Sequence, residues 1–308
     1  MKTKSKSIIS NVCHSISGVV CAGAVMLIAS SAQAQNLFES DGVSGNIYEF
    51  TPGGAQSTFA SGLSSPYGIA FNSAGDMFVA NGGNVNITEI TPGGVESTFA
   101  SVSHGAVGLA FNSAGDLFAA DSGNIYEFTP GGARSTFASG LSEPYGLVFN
   151  SAGNLFVSDS SSGNIYEYTP GGVQSTFASG LNNPEGMAFN SAGNLFVANG
   201  PNITGPGYIT EITPGGVEST FASGLNATEG LAFDSAGDLF TAQPYANTIT
   251  EITPGGVEST FASGLYGANF LAFQSVPEPS ALGLLAVGAT ALLVRRRHRC
   301  DTATLRRR

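Results

Sequence analysis

The sequence predicts an all-β six-bladed β-propeller, with four-stranded antiparallel blades and a 3+1 closure in which the C-terminus supplies an inner strand. Three observations lead there: a repeat of propeller-blade length, turn residues dense enough to break every helix-length window, and chain ends that are complementary fragments of one repeat. Thr-Pro-Gly-Gly starts at residues 51, 91, 129, 169, 213 and 253, with Ser-Thr-Phe-Ala-Ser beginning at the third residue after each copy. The spacings of 40, 38, 40, 44 and 40 residues exceed those of β-helices and leucine-rich repeats.

One unit, residues 146 to 179, shows the strands in order. Gly-Leu-Val-Phe (strand a) leads through Asn-Ser-Ala-Gly-Asn into Leu-Phe-Val-Ser-Asp (strand b). A Ser/Gly turn precedes Asn-Ile-Tyr-Glu-Tyr-Thr (strand c), and Pro-Gly-Gly precedes Gln-Ser-Thr-Phe-Ala-Ser (strand d). The connections are turn chemistry: Asn bonds its own backbone, Pro fixes one φ, and Gly is free to take positive φ. Loops this short join antiparallel neighbours. Between residues 36 and 275 no stretch sustains a helical period, so each unit reads as a four-stranded meander.

The ends of the repeat region do not coincide with the ends of a unit. Asn36 to Asp41 aligns with Asn154 to Asp159, a b strand, whereas Phe270 to Gln274 aligns with strand a. The N-terminus therefore provides b, c and d of a blade whose a strand returns from the C-terminus. Five whole blades and this composite make six, and closing the ring removes the open sheet edges.

Phenylalanine marks the predicted core. Eighteen of the 21 Phe occupy three repeated positions, represented by Phe149 on strand a, Phe156 on strand b and Phe177 on strand d. Each buried ring contributes roughly 1.5 to 3 kcal/mol, enough in sum to hold the ring without disulfides. Cys13, Cys21 and Cys300 all lie outside residues 35–275.

Both ends read as addresses. Residues 1–34 have the order of a secretory signal helix: Lys2, Lys4 and Lys6, an apolar run from Val19 to Ala29, then Ala32-Gln33-Ala34 as a small-x-small cleavage site. The Sec translocon is the implied partner, and the mature chain would begin at Gln35. Val20 before Cys21 does not suit a lipoprotein signal. At the other end, residues 276–299 combine Pro277-Glu278-Pro279, an apolar run from Ala281 to Val294, and Arg295, Arg296, Arg297 and Arg299, with a basic tail over 300–308. This order resembles the PEP-CTERM sorting signal of Gram-negative bacteria. The resemblance implies an exosortase-type processing enzyme acting at Pro-Glu-Pro, a transmembrane helix that anchors the precursor transiently in the inner membrane, and Arg residues that stop at the cytoplasmic side. The final destination it implies is the envelope, the surface or an exopolysaccharide matrix. Fourteen apolar residues rise about 21 Å as a helix against a hydrocarbon core of about 30 Å, so the Arg side chains would have to snorkel. A permanent tail anchor is the alternative.

Charge excludes partners. Between Gln35 and Ser275 there are 20 acidic residues and a single basic one, Arg134, a net of −19 with His neutral. Nucleic acid and anionic lipid are disfavoured, because neutralising phosphate needs Lys or Arg. Cations and neutral or cationic glycans remain. Glu49, Glu89, Glu127, Glu167, Glu211 and Glu251 recur on strand c. They read either as locally hydrogen-bonded acids near the blade edge or as a cation-binding ring. A three-residue Pro-Gly-Gly loop places Glu49 opposite Ser57 and Ile47 opposite Phe59.

A site shared by such similar blades belongs on the pseudo-sixfold axis or where one blade departs from the rest. The residue preceding strand a faces the channel mouth in this architecture, and it reads Tyr67, Val107, Tyr145, Glu185, Glu229 and Asn269. Glu185, Glu229 and Asn269 supply two carboxylates and an amide, oxygen donors suited to calcium or magnesium. The Asn-Pro-Glu-Gly-Met-Ala-Phe segment around Glu185 is similar to the corresponding segments of gluconolactonase-type propellers, in which Glu, Asn and Asp hold a divalent metal. His104 is the only His between residues 35 and 275. Antibiotic lyases with a similar propeller use a His as base; an exposed loop His is the other reading. Residues 199–207 form the main length departure and read as a recognition loop. The strand spellings together resemble NHL-type repeats, without the Asn-Arg-Ile segment common in that family. That resemblance implies a non-enzymatic binding or structural module taking a glycan or protein ligand at the channel mouth. A metal-dependent lactonase or lyase is the alternative.

Overall fold

A computed structural model describes residues 35–200 and 206–274. The secretory and sorting segments, including Ala32, Ala34, Pro277, Glu278, Pro279, Arg295, Arg296, Arg297, Arg299 and the two terminal helices expected from sequence, lie outside the described residues, as do residues 201–205 of the expected recognition loop.

Six four-stranded antiparallel sheets form the blades: residues 66–101 (blade 1), 109–139 (blade 2), 144–179 (blade 3), 184–226 (blade 4), 231–263 (blade 5), and a composite blade 6. In blade 6 the strand Ala268–Phe273 lies against Leu37–Asp41, followed by Asn46–Phe50 and Gln56–Ser61. The expected 3+1 closure is present, with Leu37 opposite Phe273 and Glu39 opposite Leu271. Blades 5 and 6 share an apolar cluster that includes Leu37, Phe50, Phe240, Ala242 and Leu271, and comparable clusters fill the other blade junctions.

One aromatic motif repeats at all six junctions. The strand-b Phe meets the strand-d Phe of its own blade and the strand-a Phe of the next blade, edge to face, with centroids 4.9–5.2 Å apart. Phe156, for example, sits between Phe177 and Phe189. Perpendicular packing brings the positive ring edge to the negative ring face, which adds about 0.5–1.5 kcal/mol per pair beyond area burial.

The strand c to d register departs from the expectation in one respect. Glu49 lies opposite Ser57 as predicted, but Ile47 faces Ala60 rather than Phe59, because a β-bulge intervenes after the Tyr48–Thr58 pair. The same irregularity occurs in the other five blades. An extra residue on strand d lets both Phe59 and Ala60 pack toward one core cluster, which strict alternation forbids. Blade 4 also differs from its prediction. Pro206 and Gly207 pair with Asn226 and Leu225, so this end of the expected loop is strand.

The connections divide between two faces. Strand a to b and c to d turns occupy one face, and the loops joining d to a and b to c occupy the other, which carries the channel mouth. On the turn face each Thr-Pro-Gly-Gly is closed like the first copy, where Thr51 and Ala55 pair at 3.0 Å and Gly54 takes φ +79°. Three of the recurrent strand-c acids are satisfied there. Glu49, Glu167 and Glu211 accept amide bonds from Asn36, Asn154 and Asn194 at 2.6–2.7 Å, the local role expected of them.

Candidate functional site: the axial mouth

The mouth is held by a seam of hydrogen bonds around the axis. In five blades the residue after the mouth position is Gly: Gly68, Gly108, Gly146, Gly186 and Gly230. A Cβ at any of these would drive into the neighbouring blade's carbonyl oxygen. The absence of a side chain lets the blades approach, so that Gly68, Gly186 and Gly230 donate directly to the carbonyls of Val107, Glu229 and Asn269 at 2.8–3.0 Å. Ser158 relays the bond from Gly146 to the Glu185 carbonyl. Ser40 does the same from Phe270 to Tyr67. The main chain of five of the six mouth residues is thereby fixed to the preceding blade.

The loops around the mouth are clasped by the last residue of strand b. Asp159 accepts the N–H groups of Ser142 and Glu143 at 2.8 and 2.9 Å, and Asp121 those of Ser103 and His104 at 2.8 and 3.1 Å. Asp41 accepts those of Ser44 and Tyr266, both at 2.8 Å. These buried acids therefore have a structural task.

Blade 6 breaks the glycine pattern with Phe270. Its ring stacks on Tyr145 of the opposite blade 3, centroids 5.6 Å apart and planes 20° apart, so the two span the axis. On the mouth side lies a cavity of about 490 Å³ lined by Tyr67, Val107, Glu143, Tyr145 and Glu229, among others. That volume lies within the usual range for small-ligand pockets. A recess of about 560 Å³ between blades 3 and 4 on the turn face is lined by repeated residues such as Phe149, Phe156 and Phe177, and is scaffold.

Tyr145 donates its hydroxyl to Glu229 at 3.4 Å, and Asn183 donates to Glu185 at 2.6 Å. Burial raises the Glu185 carboxyl to about 8, with the neighbouring Glu229 charge the next cause. Glu229 is raised to about 7, also by burial, against the Tyr145 hydrogen bond that lowers it. The Tyr145 hydroxyl is pushed well up by burial and then by the Glu229 and Glu185 charges. Burial, Glu229 and then Tyr245 raise Tyr67 as well. The site thus joins carboxyls of blades 4 and 5 to aromatic rings of blades 1, 3 and 6.

The sequence-derived residues separate into two groups. Glu185 and Glu229 face each other electrostatically, whereas Asn269 is buried and donates its amide to the Pro66 carbonyl of blade 1 at 3.2 Å. Among the described residues no three His, Cys, Asp or Glu side chains form a metal-holding group. The carboxyl pair fits a divalent ion in donor type; the Asn269 amide nitrogen is committed elsewhere. His104 is exposed on the same loop face, with Nδ1 3.6 Å from Asp121. Phe270 escaped the sequence reading as a site residue. For Phe270 the available signal was its replacement of a five-fold repeated Gly.

Comparison with curated protein sequences finds no match. Among solved structures, a chain of a nidogen/laminin complex superposes with TM-score 0.70 at 17% identity, over 78% of this chain and 98% of that one. A catalytically inactive virginiamycin B lyase from Staphylococcus aureus with quinupristin gives TM-score 0.57 at 14% identity, over 80% and 94% of the two chains. The PQQ-bound aldose sugar dehydrogenase from Streptomyces coelicolor gives 0.61 at 19%, over 70% and 86%. At these identities the likeness establishes the fold alone, and the neighbours' differing activities show how many functions it carries. Residues 275–297 match the PEP-CTERM protein-sorting motif. The chain is therefore an exported, membrane-transiting six-bladed propeller that carries a PEP-CTERM sorting signal.

Proposed function

We propose that the mature chain is a non-enzymatic binding module of the cell envelope or exopolysaccharide matrix, and that it takes a neutral or amine-bearing glycan segment at the axial mouth. One observation supports this above the rest: the blades, nearly identical elsewhere, diverge at the mouth into carboxyls set among aromatic rings. Sugar C–H faces pack on aromatic rings, and sugar hydroxyls or ammonium groups bond carboxylates. Arg134, at the start of the outer strand of blade 2, is the only Lys or Arg between Gln35 and Ser275, so positive charge at the mouth would come from the ligand. The reading is tested by calorimetric titration of the mature domain with neutral, amine-bearing and acidic oligosaccharides. Binding of the first two classes, weakened at least tenfold by both Glu229→Gln and Tyr145→Phe, supports it; binding unchanged by either variant defeats it.

A metal-dependent lactonase is the second reading, favoured by the Glu185 and Glu229 pair, whose repulsion a divalent ion would relieve. Calcium or magnesium bound there raises the melting temperature by linkage. No shift at millimolar ion removes this reading and leaves the first intact.

A further inference from the structure

Both processing points flank a single spot on the propeller. Gln35, the first residue of the expected mature chain, donates through Nε2 to the Gln274 carbonyl at 3.0 Å, and the Gln274 N–H reaches the Asn36 carbonyl at 3.3 Å. This spot lies on the turn face, where strand b of blade 6 begins and its strand a ends. Strand a is the innermost strand, so the chain leaves the propeller close to the axis rather than at the rim. Only six residues, Ser275 to Ser280, separate Gln274 from the apolar run that starts at Ala281. Fully extended, they reach about 20 Å.

That reach rules out one orientation. For the mouth face to meet the bilayer, the tether would have to cross three strand spacings to the rim, about 14 Å. It would then climb a wall one strand high, about 17–20 Å more. The total of about 30 Å or more exceeds what six residues span. We infer that in the membrane-held precursor the turn face lies toward the lipid surface and the axial mouth cannot meet it, the tether's slack permitting at most a tilt onto the rim. The face so apposed carries the turn tips Val95, Val173, Val217 and Val257, each 66–68% exposed, and the exposed turn residue Ala236 beside the exit point. Glu96, Glu218 and Glu258 follow three of those valines. The acidic propeller has no attraction of its own for anionic headgroups, so its apposition is enforced by the tail and ends when the tail is cut. Ring closure joins the two chain ends on this one face, so it is compatible with either end being held at the membrane. The inference rests on residues 281–299 acting as a membrane anchor.

The test uses the chain from Gln35 to Arg308, which lacks Cys13 and Cys21, in vesicles of phosphatidylethanolamine and phosphatidylglycerol, with Cys300→Ser and single fluorophore-bearing cysteines at Ala236→Cys or Tyr266→Cys. Circular dichroism melts first confirm that each variant folds. Nitroxide-headgroup lipids should quench the Ala236 probe at least threefold more than the mouth-face Tyr266 probe, and proteolytic release of the tail should abolish the difference and free the domain from the vesicles. Equal quenching, or stronger quenching at Tyr266, overturns the orientation. Failure of the precursor to float with vesicles overturns the anchor itself, and with it the inference, and is read separately from quenching. Continued vesicle binding by the released domain refutes the claim that the tail enforces the contact.

Discussion

Glu39→Val should stabilise the propeller, although it removes a carboxyl from the closure blade. Glu39 is 0% exposed and neither carboxyl oxygen has a hydrogen-bond partner. By strand alternation it shares a face with Leu37, which packs against blade 5. The equivalent residue is Val79, Val157 and Val197 in blades 1, 3 and 4, so the valine volume already suits the position. Burial raises the carboxyl well above its usual range, the Asp41 charge adds to this, and the Asn269 N–H, outside hydrogen-bonding geometry, opposes them as the weakest of the three. A buried polar group left unsatisfied costs about 1–3 kcal/mol. For a domain of this size a gain near 2 kcal/mol corresponds to a rise in melting temperature of roughly 4–8 °C. The pH dependence supplies a second check. A carboxyl whose folded pKa exceeds its unfolded value contributes most below the unfolded pKa, about 4.3, and that contribution is lost as pH rises through the folded value. The Glu39→Val gain must therefore be larger at pH 8 than at pH 4.5. The chain has no Trp, so melts of the mature domain would be followed by circular dichroism. A lower melting temperature at pH 8, or an equal gain at both pH values, refutes this account.

Two further substitutions probe the repeat itself. Asp238→Asn should raise stability by about 0.5–1.5 kcal/mol in denaturant titration, because it replaces the acid that crowds Glu251 in blade 5 with the Asn donor that serves Glu167 in blade 3. A loss of stability would show that the Asn–Glu pairing does not transfer between blades. Phe156→Ala removes the ring shared by Phe177 and Phe189 and should cost about 3–5 kcal/mol, measured in the same way. A cost below about 1 kcal/mol would mean the edge-to-face triads do not hold neighbouring blades together.

What the sequence revealed followed from repetition, and what it concealed followed from single departures. Six copies of each strand made blade number, strand order and the Phe core readable, and the fragmentary ends made the closure readable. The bulge stayed hidden because Ser-Thr-Phe-Ala-Ser fits plain alternation until Phe59 and Ala60 are both required to face one core. The mouth was located through residues 67, 107, 145, 185, 229 and 269, yet the side chain that closes the channel, Phe270, sits one position later, where the other blades have Gly. Asn269 follows from the same geometry. Its place next to Gly42 and the Pro66 carbonyl depends on how blade 6 meets blade 1, a relation no single repeat encodes.

The mouth combines a rigid backbone with strained electrostatics, and the two pull stability and binding apart. Its carbonyls are tied into the inter-blade seam, so Glu185 and Glu229 cannot escape one another by moving the main chain. Burial then raises both carboxyls, to about 8 for Glu185, where the Glu229 charge adds to it, and to about 7 for Glu229. Because both folded values lie above the unfolded one, the domain loses stability as pH rises from about 4.5 toward 8. Over the upper part of the same range the carboxyls ionise, and attraction for an ammonium-bearing ligand grows. Melting temperature should therefore fall while affinity for an amine-bearing oligosaccharide rises between pH 6 and 8, and Glu185→Gln should flatten both trends. Parallel rather than opposed trends, or trends unaltered by Glu185→Gln, would show that this acid pair does not govern the mouth.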